Sequence, residues 1–291
     1  MKQLITLVIF SIFISINLSS QYTEVGIFAG VSNYHGDLTP RNLEVSSYAP
    51  AFGAFARYNF NGHLAAKVHF YKGILQGSDH HAQITKGERA RNLSFRTDMY
   101  ELGAQFEYNF LDFKVAIKDH ITTPYIFAGV AGFYYNPQAE INGQWFDLQP
   151  LSTEGQGLEG STAQPYQQFS IAIPMGLGVK FNINHVANIG LEFGMRKTFT
   201  DYIDDVSTTY PDLNILASDV GEIAAALSYR TPEYNPDALP DPQGTSRGDA
   251  TNKDWYFFGG VTISVNIGKA NGFKQNQKKP VSRKKAPKMA F

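Results

Sequence analysis

The sequence contains no cysteine and little charge, and both shortages narrow what the protein can be. Without cysteine, the 291-residue chain has no disulfide, thiolate nucleophile, cysteine-type zinc site or acylated N-terminal cysteine. Charged residues make up only 18% of the chain, although 14% of the residues are aromatic. After residue 20, no apolar run approaches the ~20 residues that a membrane-spanning helix needs. A membrane location for the rest of the chain would therefore require a β-barrel.

The first twenty residues are typical of a secretory signal. Lys2 precedes an apolar run over residues 4–14, and the small residues Ser19 and Ser20 follow it. We expect a signal peptide at 1–20, a barrel domain at 21–268 and a separate tail at 269–291. A retained anchor helix is the less favoured alternative, because the apolar run is short. Export also argues against nucleic acid as a partner.

The C-terminal tail is basic, whereas the body of the chain is acidic. Residues 269–291 contain no acidic residue, and glycine and proline interrupt them. This composition predicts a flexible tail. Two interpretations stay open: a solvated tail, or an arm that binds an acidic periplasmic partner. The candidate partner-binding residues are Lys269, Lys274, Lys278, Lys279, Arg283, Lys284, Lys285 and Lys288.

Apolar and polar residues alternate with a period of two in eight segments. In residues 100–110, every even-numbered residue from Tyr100 to Phe110 is apolar, and Glu, Gly, Gln, Glu and Asn fall between them. Strands with one lipid-facing and one interior face are typical of membrane barrels. The sequence therefore predicts an all-β, eight-stranded antiparallel outer-membrane β-barrel. The other segments lie near 24–32, 52–60, 63–70, 125–131, 168–182, 189–196 and 255–267.

The connections between these segments alternate between short and long. Short connections lie at Asn61-Gly62, 111–122 and 182–185, and long ones lie near 33–49, 75–95, 136–165 and 200–254. Outer-membrane barrels have short periplasmic turns and long extracellular loops. We therefore expect the long loops to be extracellular and both termini to be periplasmic.

The predicted inward face carries as many bases as acids. Side chains fill the interior of an eight-stranded barrel, and buried charges require partners. We expect a salt-bridged, closed lumen without a conducting pore or a cofactor. The inward charges are Glu24, Glu101, Glu107, Glu192, Arg57, Lys67, Lys180 and Arg196.

No motif indicates an enzyme. The seven histidines are scattered, and neither an HExxH nor a GxSxG sequence occurs. A metal pair at His80-His81 and a rim-located lipid hydrolase remain minor alternatives, and His63 and His69 are expected to be ordinary polar residues of the lumen.

Two features are expected in the last long loop. Asp201, Asp204 and Asp205 could bind calcium, but we favour a solvated acidic loop. Residues 215–228 predict one short extracellular helix that starts near Asp219 and Glu222.

Four loop segments carry distinctive sequences: GVSNYHGDL at 30–38, RNLSFRTDMYE at 91–101, LQPLSTEGQG at 148–157 and TDYIDDVS at 200–207. In this order they resemble the Bacteroidetes outer-membrane barrel family of PorG type, and the resemblance covers about residues 22–268. It implies a place in the type IX secretion and gliding apparatus. In that family the barrel associates with a periplasmic ring lipoprotein and its partner ring protein, and is not itself regarded as the pore. The resemblance assigns no catalytic role to these motifs, which we expect to hold the loops together.

The leading hypothesis is a non-enzymatic barrel that anchors a secretion machine. Its expected partners are outer-membrane lipid, the periplasmic ring lipoprotein and the associated ring protein. The alternatives are a stand-alone barrel whose loops bind a surface ligand, and the rim-located hydrolase.

Overall fold

The structure is a computed structural model that describes residues 22–39, 47–79, 91–114, 121–161, 163–183, 186–235 and 237–267. The predicted signal peptide at 1–20 lies outside these residues, and so does the His80-His81 pair. The tail residues Lys269, Lys274, Lys278, Lys279, Arg283, Lys284, Lys285 and Lys288 lie outside them as well.

Antiparallel strands form most of the described chain. They are β1 (Tyr22–His35), β2 (Ala49–Asn59), β3 (Leu64–Ser78), β4 (Ser94–Asn109), β5 (Thr122–Ile141), β6 (Gln144–Asp147), β7 (Phe169–Asn182), β8 (Ala187–Thr198) and β9 (Trp255–Ile267). The pairing order is β4-β3-β2-β1-β9-β8-β7-β5, and an additional pairing between β4 and β5 closes the ring. Eight strands therefore form a closed barrel, and the predicted fold class is confirmed.

Strand β6, which is additional to the eight strands of the barrel, was not predicted from the sequence. It pairs with the last residues of β5, which continues to Ile141. Asn142 and Gly143 connect the two strands with φ angles of 53° and 78°. Two consecutive positive φ angles are those of a type I′ hairpin turn, for which Asn-Gly is the preferred sequence. The segment 136–165, predicted to be a loop, therefore begins with a hairpin.

The period-two pattern separates the two faces of the barrel wall. On β4, Leu102 and Phe106 are 62% and 64% exposed on the outside, whereas Glu101 and Glu107 are buried inside. Val130, Leu177 and other large apolar side chains continue this exterior around the barrel. The outer surface is therefore an apolar band suited to lipid, as membrane-spanning barrels require.

The connections have the predicted asymmetry. The described parts of the three short connections lie at one end of the barrel, together with Tyr22 and Ile267, and we call it the turn end. The described parts of the long connections lie at the opposite end, which we call the loop end. The described residues of 148–167 and 200–254 form a layer there that we call the cap.

The cap contains three short helices rather than the one predicted over 215–228. They are α1 (Leu213–Asp219), α2 (Glu222–Ser228) and α3 (Thr231–Tyr234). Asp212 caps the N-terminus of α1, because its side chain accepts hydrogen bonds from the backbone N–H groups of Asn214 and Ile215. Gly221, with a φ of 133°, separates α1 from α2. Helix α2 starts at Glu222, within the predicted start signal, but the prediction of a single helix was wrong. No helix in the described residues is long and apolar enough to cross a membrane.

Candidate functional site

The barrel interior contains a network of buried ion pairs, which we call the lumen network. It comprises the eight predicted inward charges and His69. Arg57 is central, because its Nη1 lies 2.8 Å from Glu24 Oε2 and its Nε lies 2.9 Å from Glu107 Oε2. Lys180 Nζ lies 3.1 Å from the same Glu107 carboxylate. These contacts tie β1, β2, β4 and β7 together across the lumen.

A second part of the network involves Lys67 and Glu192. Lys67 Nζ lies 2.6 Å from Glu192 Oε2 and 4.0 Å from Glu107 Oε1. The hydroxyl of Tyr125 donates to Glu192 Oε2 over 2.7 Å. The ring of Phe55 lies 5.1 Å from the Lys67 ammonium group, so an aromatic face also stabilises the buried cation.

The third part lies nearer the loop end, around Glu101. Arg196 Nε donates to Glu101 Oε2 over 3.2 Å, and Tyr256 donates to the same oxygen over 2.6 Å. His69 Nε2 lies 2.8 Å from Glu101 Oε1. All eight predicted inward charges are thus buried and paired, as the sequence predicted. Together with the rings of Phe28, Tyr71 and Phe258, which pack against one another, they fill the lumen.

At the loop end, the four sequence motifs meet one another. The Tyr34 hydroxyl lies 2.5 Å from Asp204 Oδ2 and 3.0 Å from Asp254 Oδ1. The N–H groups of Val206 and Ile203 occupy the other oxygens of Asp204 and Asp254, respectively. A tyrosine hydroxyl has one hydrogen to donate, so two ionised carboxylates cannot both accept it. This geometry favours a pair in which one of the two carboxyl groups is protonated.

The pKa shifts of the two carboxyl groups agree with this geometry. Burial raises the pKa of Asp204 well above its usual range, and the neighbouring Asp254 and Asp37 raise it further. Burial also raises the pKa of Asp254, with Asp201 adding to the shift.

Arg247 is the central cation of the cap and is buried. Its Nη1 lies 3.1 Å from Glu154 Oε1, and its Nη2 lies 3.4 Å from Asp205 Oδ2. Burial opposes its charge, but Asp205 and Glu154 outweigh burial and raise the pKa of Arg247. Thr153 and Tyr166 also donate to Asp205, whose pKa burial raises to about 6. The LQPLSTEGQG and TDYIDDVS motifs are joined in this way.

Arg91 joins the remaining two motifs to the cap. Its Nη2 donates to the backbone oxygen of Asp37 over 2.9 Å and to Asp79 Oδ1 over 2.8 Å. Its Nη1 donates to the backbone oxygen of Arg247 over 2.8 Å. The expectation that the motifs hold the loops together is therefore confirmed.

The favoured interpretation of Asp201, Asp204 and Asp205 as a solvated acidic loop is wrong. All three are buried, because the cap folds over the barrel and supplies hydroxyl, N–H and guanidinium donors to them. The described residues contain no group of three or more His, Asp or Glu side chains placed to hold a metal ion.

Sequence reasoning missed several functional residues of the cap, above all Arg247 and Asp254. Both lie in a loop without periodicity, and neither belongs to one of the four motifs. Tyr34 and Glu154 do lie within motifs, so for these two residues the motifs were the sequence signal that pointed to a structural role.

A family model described as "Domain of unknown function (DUF6089)" matches residues 2–219. A comparison with curated proteins found no match.

Among solved structures, Ail of Yersinia pestis is 10% identical, with a TM-score of 0.40 over 85% of this chain and 99% of that chain. Neisserial surface protein A is 9% identical, with a TM-score of 0.37 over 84% of this chain and 96% of that chain. OprG of Pseudomonas aeruginosa is 10% identical, with the same TM-score and coverage of 84% and 96%.

Proposed function

We propose that this chain, which belongs to the DUF6089 family of domains of unknown function, is a non-enzymatic outer-membrane barrel that anchors a periplasmic assembly. The observation that carries the proposal is the filled lumen. Four carboxylates and four cations are paired inside the barrel, and eight strands leave no room for a channel beside them. The barrel wall thus supplies attachment to lipid, and recognition belongs to its two ends.

The turn end is the proposed attachment surface. Strand β9 ends at Ile267 on this side, and the basic tail follows it in the sequence. Eight basic residues without an acidic residue suit an acidic protein surface, because complementary charge steers association. With the loop end outside the cell, this surface and the tail face the periplasm.

The resemblance to the PorG-type family indicates which assembly the barrel would anchor. We propose that the partners are the ring lipoprotein and the associated ring protein of the type IX secretion and gliding machinery. The four motifs that carry the resemblance meet at the loop end, where Arg91, Arg247 and Tyr34 join them to one another. The motifs therefore support the resemblance to the PorG-type family at the loop end of the barrel. The proposed attachment surface lies at the opposite, turn end.

Crosslinking and tail variants test the proposal in intact cells. Photocrosslinkers placed at Lys274 and Lys284 should capture the ring lipoprotein or its partner protein, identified by mass spectrometry. Removal of residues 269–291 should reduce co-purification of the ring. A tail of unchanged length with its eight basic residues replaced by glutamine is the matched control for charge.

The outcomes separate the possible roles of the tail and the barrel. If the glutamine tail retains the ring and the deletion loses it, the tail binds without using its charge. If both variants retain every partner, the tail has no part in anchoring. Failure to recover any ring component with the wild-type barrel would contradict the secretion-machine assignment itself.

A further inference from the structure

A pocket of about 460 Å³ opens between the two segments of the cap. The segment 148–167 contributes Leu158 and Glu159 to its lining, and the segment 200–254 contributes Tyr210, Asp212 and Ile215. The pocket shares no residue with the lumen network, and the anchoring proposed for the turn end does not depend on it. A role of this pocket would therefore be additional to anchoring.

Hydrogen bonds within the cap hold the walls of the pocket in place. Glu154, the buried carboxylate of the lining, accepts from the Ser207 N–H group over 2.8 Å and pairs with Arg247 at 3.1 Å. The backbone oxygen of Tyr210 accepts from the N–H group of Gly244 over 3.0 Å. A surface that is already ordered loses less conformational entropy when a partner binds. The pocket is thus preformed, and Glu154 is used in forming it.

Two other carboxylates of the lining are open to a cation. Asp212 accepts the N–H groups of Asn214 and Ile215 with Oδ1 alone, and no described residue donates to its Oδ2. Glu159 is exposed, and its carboxylate has no hydrogen bond or ion pair within the described parts of the chain. The described residues that line the pocket include no lysine, arginine or histidine. The pocket therefore suits a positively charged group.

Apolar side chains lie beside these carboxylates. Ile215 is 41% exposed on α1, and Leu158 and Pro211 are half-buried. A small amine would leave these side chains in water, whereas an apolar side chain next to a basic one would cover them. Hydroxyl and amide groups complete the lining and can bond to a peptide backbone; they belong to Ser161, Thr209 and Gln243.

The rest of the accessible cap surface is acidic as well. Among the described cap side chains that are exposed or half-buried, the only bases are Lys253 and Arg230, and Arg230 is already paired with Glu233 at 2.9 Å. A second copy of the cap would bring charge of the same sign, but a basic polypeptide would be attracted. The acids in this set are Glu159, Asp212, Asp219, Glu222, Glu233, Asp237, Asp241 and Asp249.

We propose that this pocket binds a basic segment of another polypeptide. A lysine or arginine of the segment contacts Asp212 and Glu159, and a neighbouring apolar side chain packs on Leu158 and Ile215. The loop end of the barrel thereby recognises a protein partner, while the turn end is left to the ring assembly.

Fluorescence anisotropy of labelled peptides tests the proposal, with the purified protein in uncharged detergent micelles and with empty micelles as the blank. The probe is the heptapeptide Gly-Ser-Lys-Leu-Lys-Ser-Gly. Three matched peptides replace its leucine with serine, both lysines with glutamine, or both lysines with glutamate. We expect the probe to bind about tenfold more tightly than each matched peptide, because it alone has both the cations and the apolar side chain. Added salt should weaken its binding.

Variants of the pocket locate the binding. Asp212→Asn/Glu159→Gln should weaken probe binding about tenfold, because both carboxylates are lost. Asparagine still caps α1, so the cap should fold, and an unchanged heat-modifiable gel band verifies this. Ile215→Ser should reduce probe binding to the level of the serine peptide. The matched control Glu222→Gln/Asp237→Asn removes two charges at exposed cap positions outside the lining and should leave binding unchanged.

Four results would overturn the proposal. The first is no binding of the probe, and the second is equal binding of the glutamate peptide. The third is equal binding of the serine peptide, which would remove the apolar contact. The last is an equal loss in the pocket variant and the matched control, which would assign binding to the acidic surface at large. The tail residues take no part in this experiment, so its outcome is independent of the anchoring test.

Discussion

Glu107 neutralises cations from three different strands of the wall. Arg57 comes from β2, Lys67 from β3 and Lys180 from β7, and all three lie within 4.0 Å of its carboxylate. Each of these side chains is at most 2% exposed. Removing one partner from a buried ion pair leaves an uncompensated charge, which costs far more than the pair contributes.

We expect Glu107→Gln to lower the free energy of unfolding by about 3–5 kcal/mol, because Arg57 and Lys180 lose their shared carboxylate. Urea titration of the barrel in micelles, followed by gel mobility, measures the change. The double variant Glu107→Gln/Lys180→Gln should recover part of the loss. Glu140→Gln, which changes an exposed side chain, is the control. A loss no larger in Glu107→Gln than in this control would contradict the role of the lumen network.

The Tyr34 carboxyl pair makes the stability of the cap depend on pH. Burial raises the pKa of both Asp204 and Asp254, so the folded cap holds a proton that the unfolded loop releases above about pH 4. This contribution is full below that pH and is lost as pH rises through the folded pKa. Asp201, with a pKa of about 7, acts in the same direction.

Hydrogen exchange of residues 200–207, corrected for intrinsic rates, should show less protection at pH 9 than at pH 6. Asp254→Asn should retain protection at pH 9, because its amide donates to Tyr34 and its oxygen still accepts from the Ile203 N–H group. Lumen strands in the same samples are the internal control. An identical loss in Asp254→Asn and wild type would contradict the shared proton.

Among the elements, the barrel strands were predictable and the cap helices largely were not. The strands alternate because each has one lipid face and one interior face, and this local constraint appears directly in the sequence. The helical segment was recognised from composition, but its break at Gly221, which has a φ of 133°, was not anticipated because helix-forming composition continues on both sides of it. Strand β6 was missed, although its Asn142-Gly143 turn is a recognisable hairpin signal.

The β5–β6 hairpin depends on the left-handed backbone at its turn. Gly143 has a φ of 78°, and a Cβ atom placed there would contact nothing within 4 Å. Gly143→Val should therefore destabilise the hairpin through backbone strain alone, by about 1–2 kcal/mol. Hydrogen exchange at residues 144–147 measures this loss. Gly143→Asn should have a smaller effect, because asparagine tolerates positive φ. Equal effects of the two variants would contradict this explanation.

For the molecule as a whole, the lipid-facing exterior sets the energetics of insertion. Val130 lies midway along the outer face of β5 and is 59% exposed. Val130→Arg should destabilise the folded barrel in lipid by about 2–4 kcal/mol, and Tyr134→Arg, nearer the loop end of the strand, by about 0–1 kcal/mol. Reversible unfolding from phosphatidylcholine vesicles measures both. Equal costs at the two positions would contradict the assignment of the band centre.

The lumen network could be predicted from the sequence, whereas the contacts of the cap could not. The lumen charges were identified because their inward direction follows from strand period alone. The cap was not, since Tyr34 and Asp254 are 220 positions apart and meet only after the ring has closed. Asp205 likewise has Arg247 as its buried partner, and no local pattern connects the two residues.

The ring closes where β1 pairs with β9, the first and last strands described. Tyr34 belongs to β1, and Asp254 immediately precedes β9, so their hydrogen bond bridges the same seam. During biogenesis, the edge of β1 must wait for almost the whole polypeptide before it finds this neighbour. The contact between Tyr34 and Asp254 can therefore form only after the first and last strands of the barrel have come together.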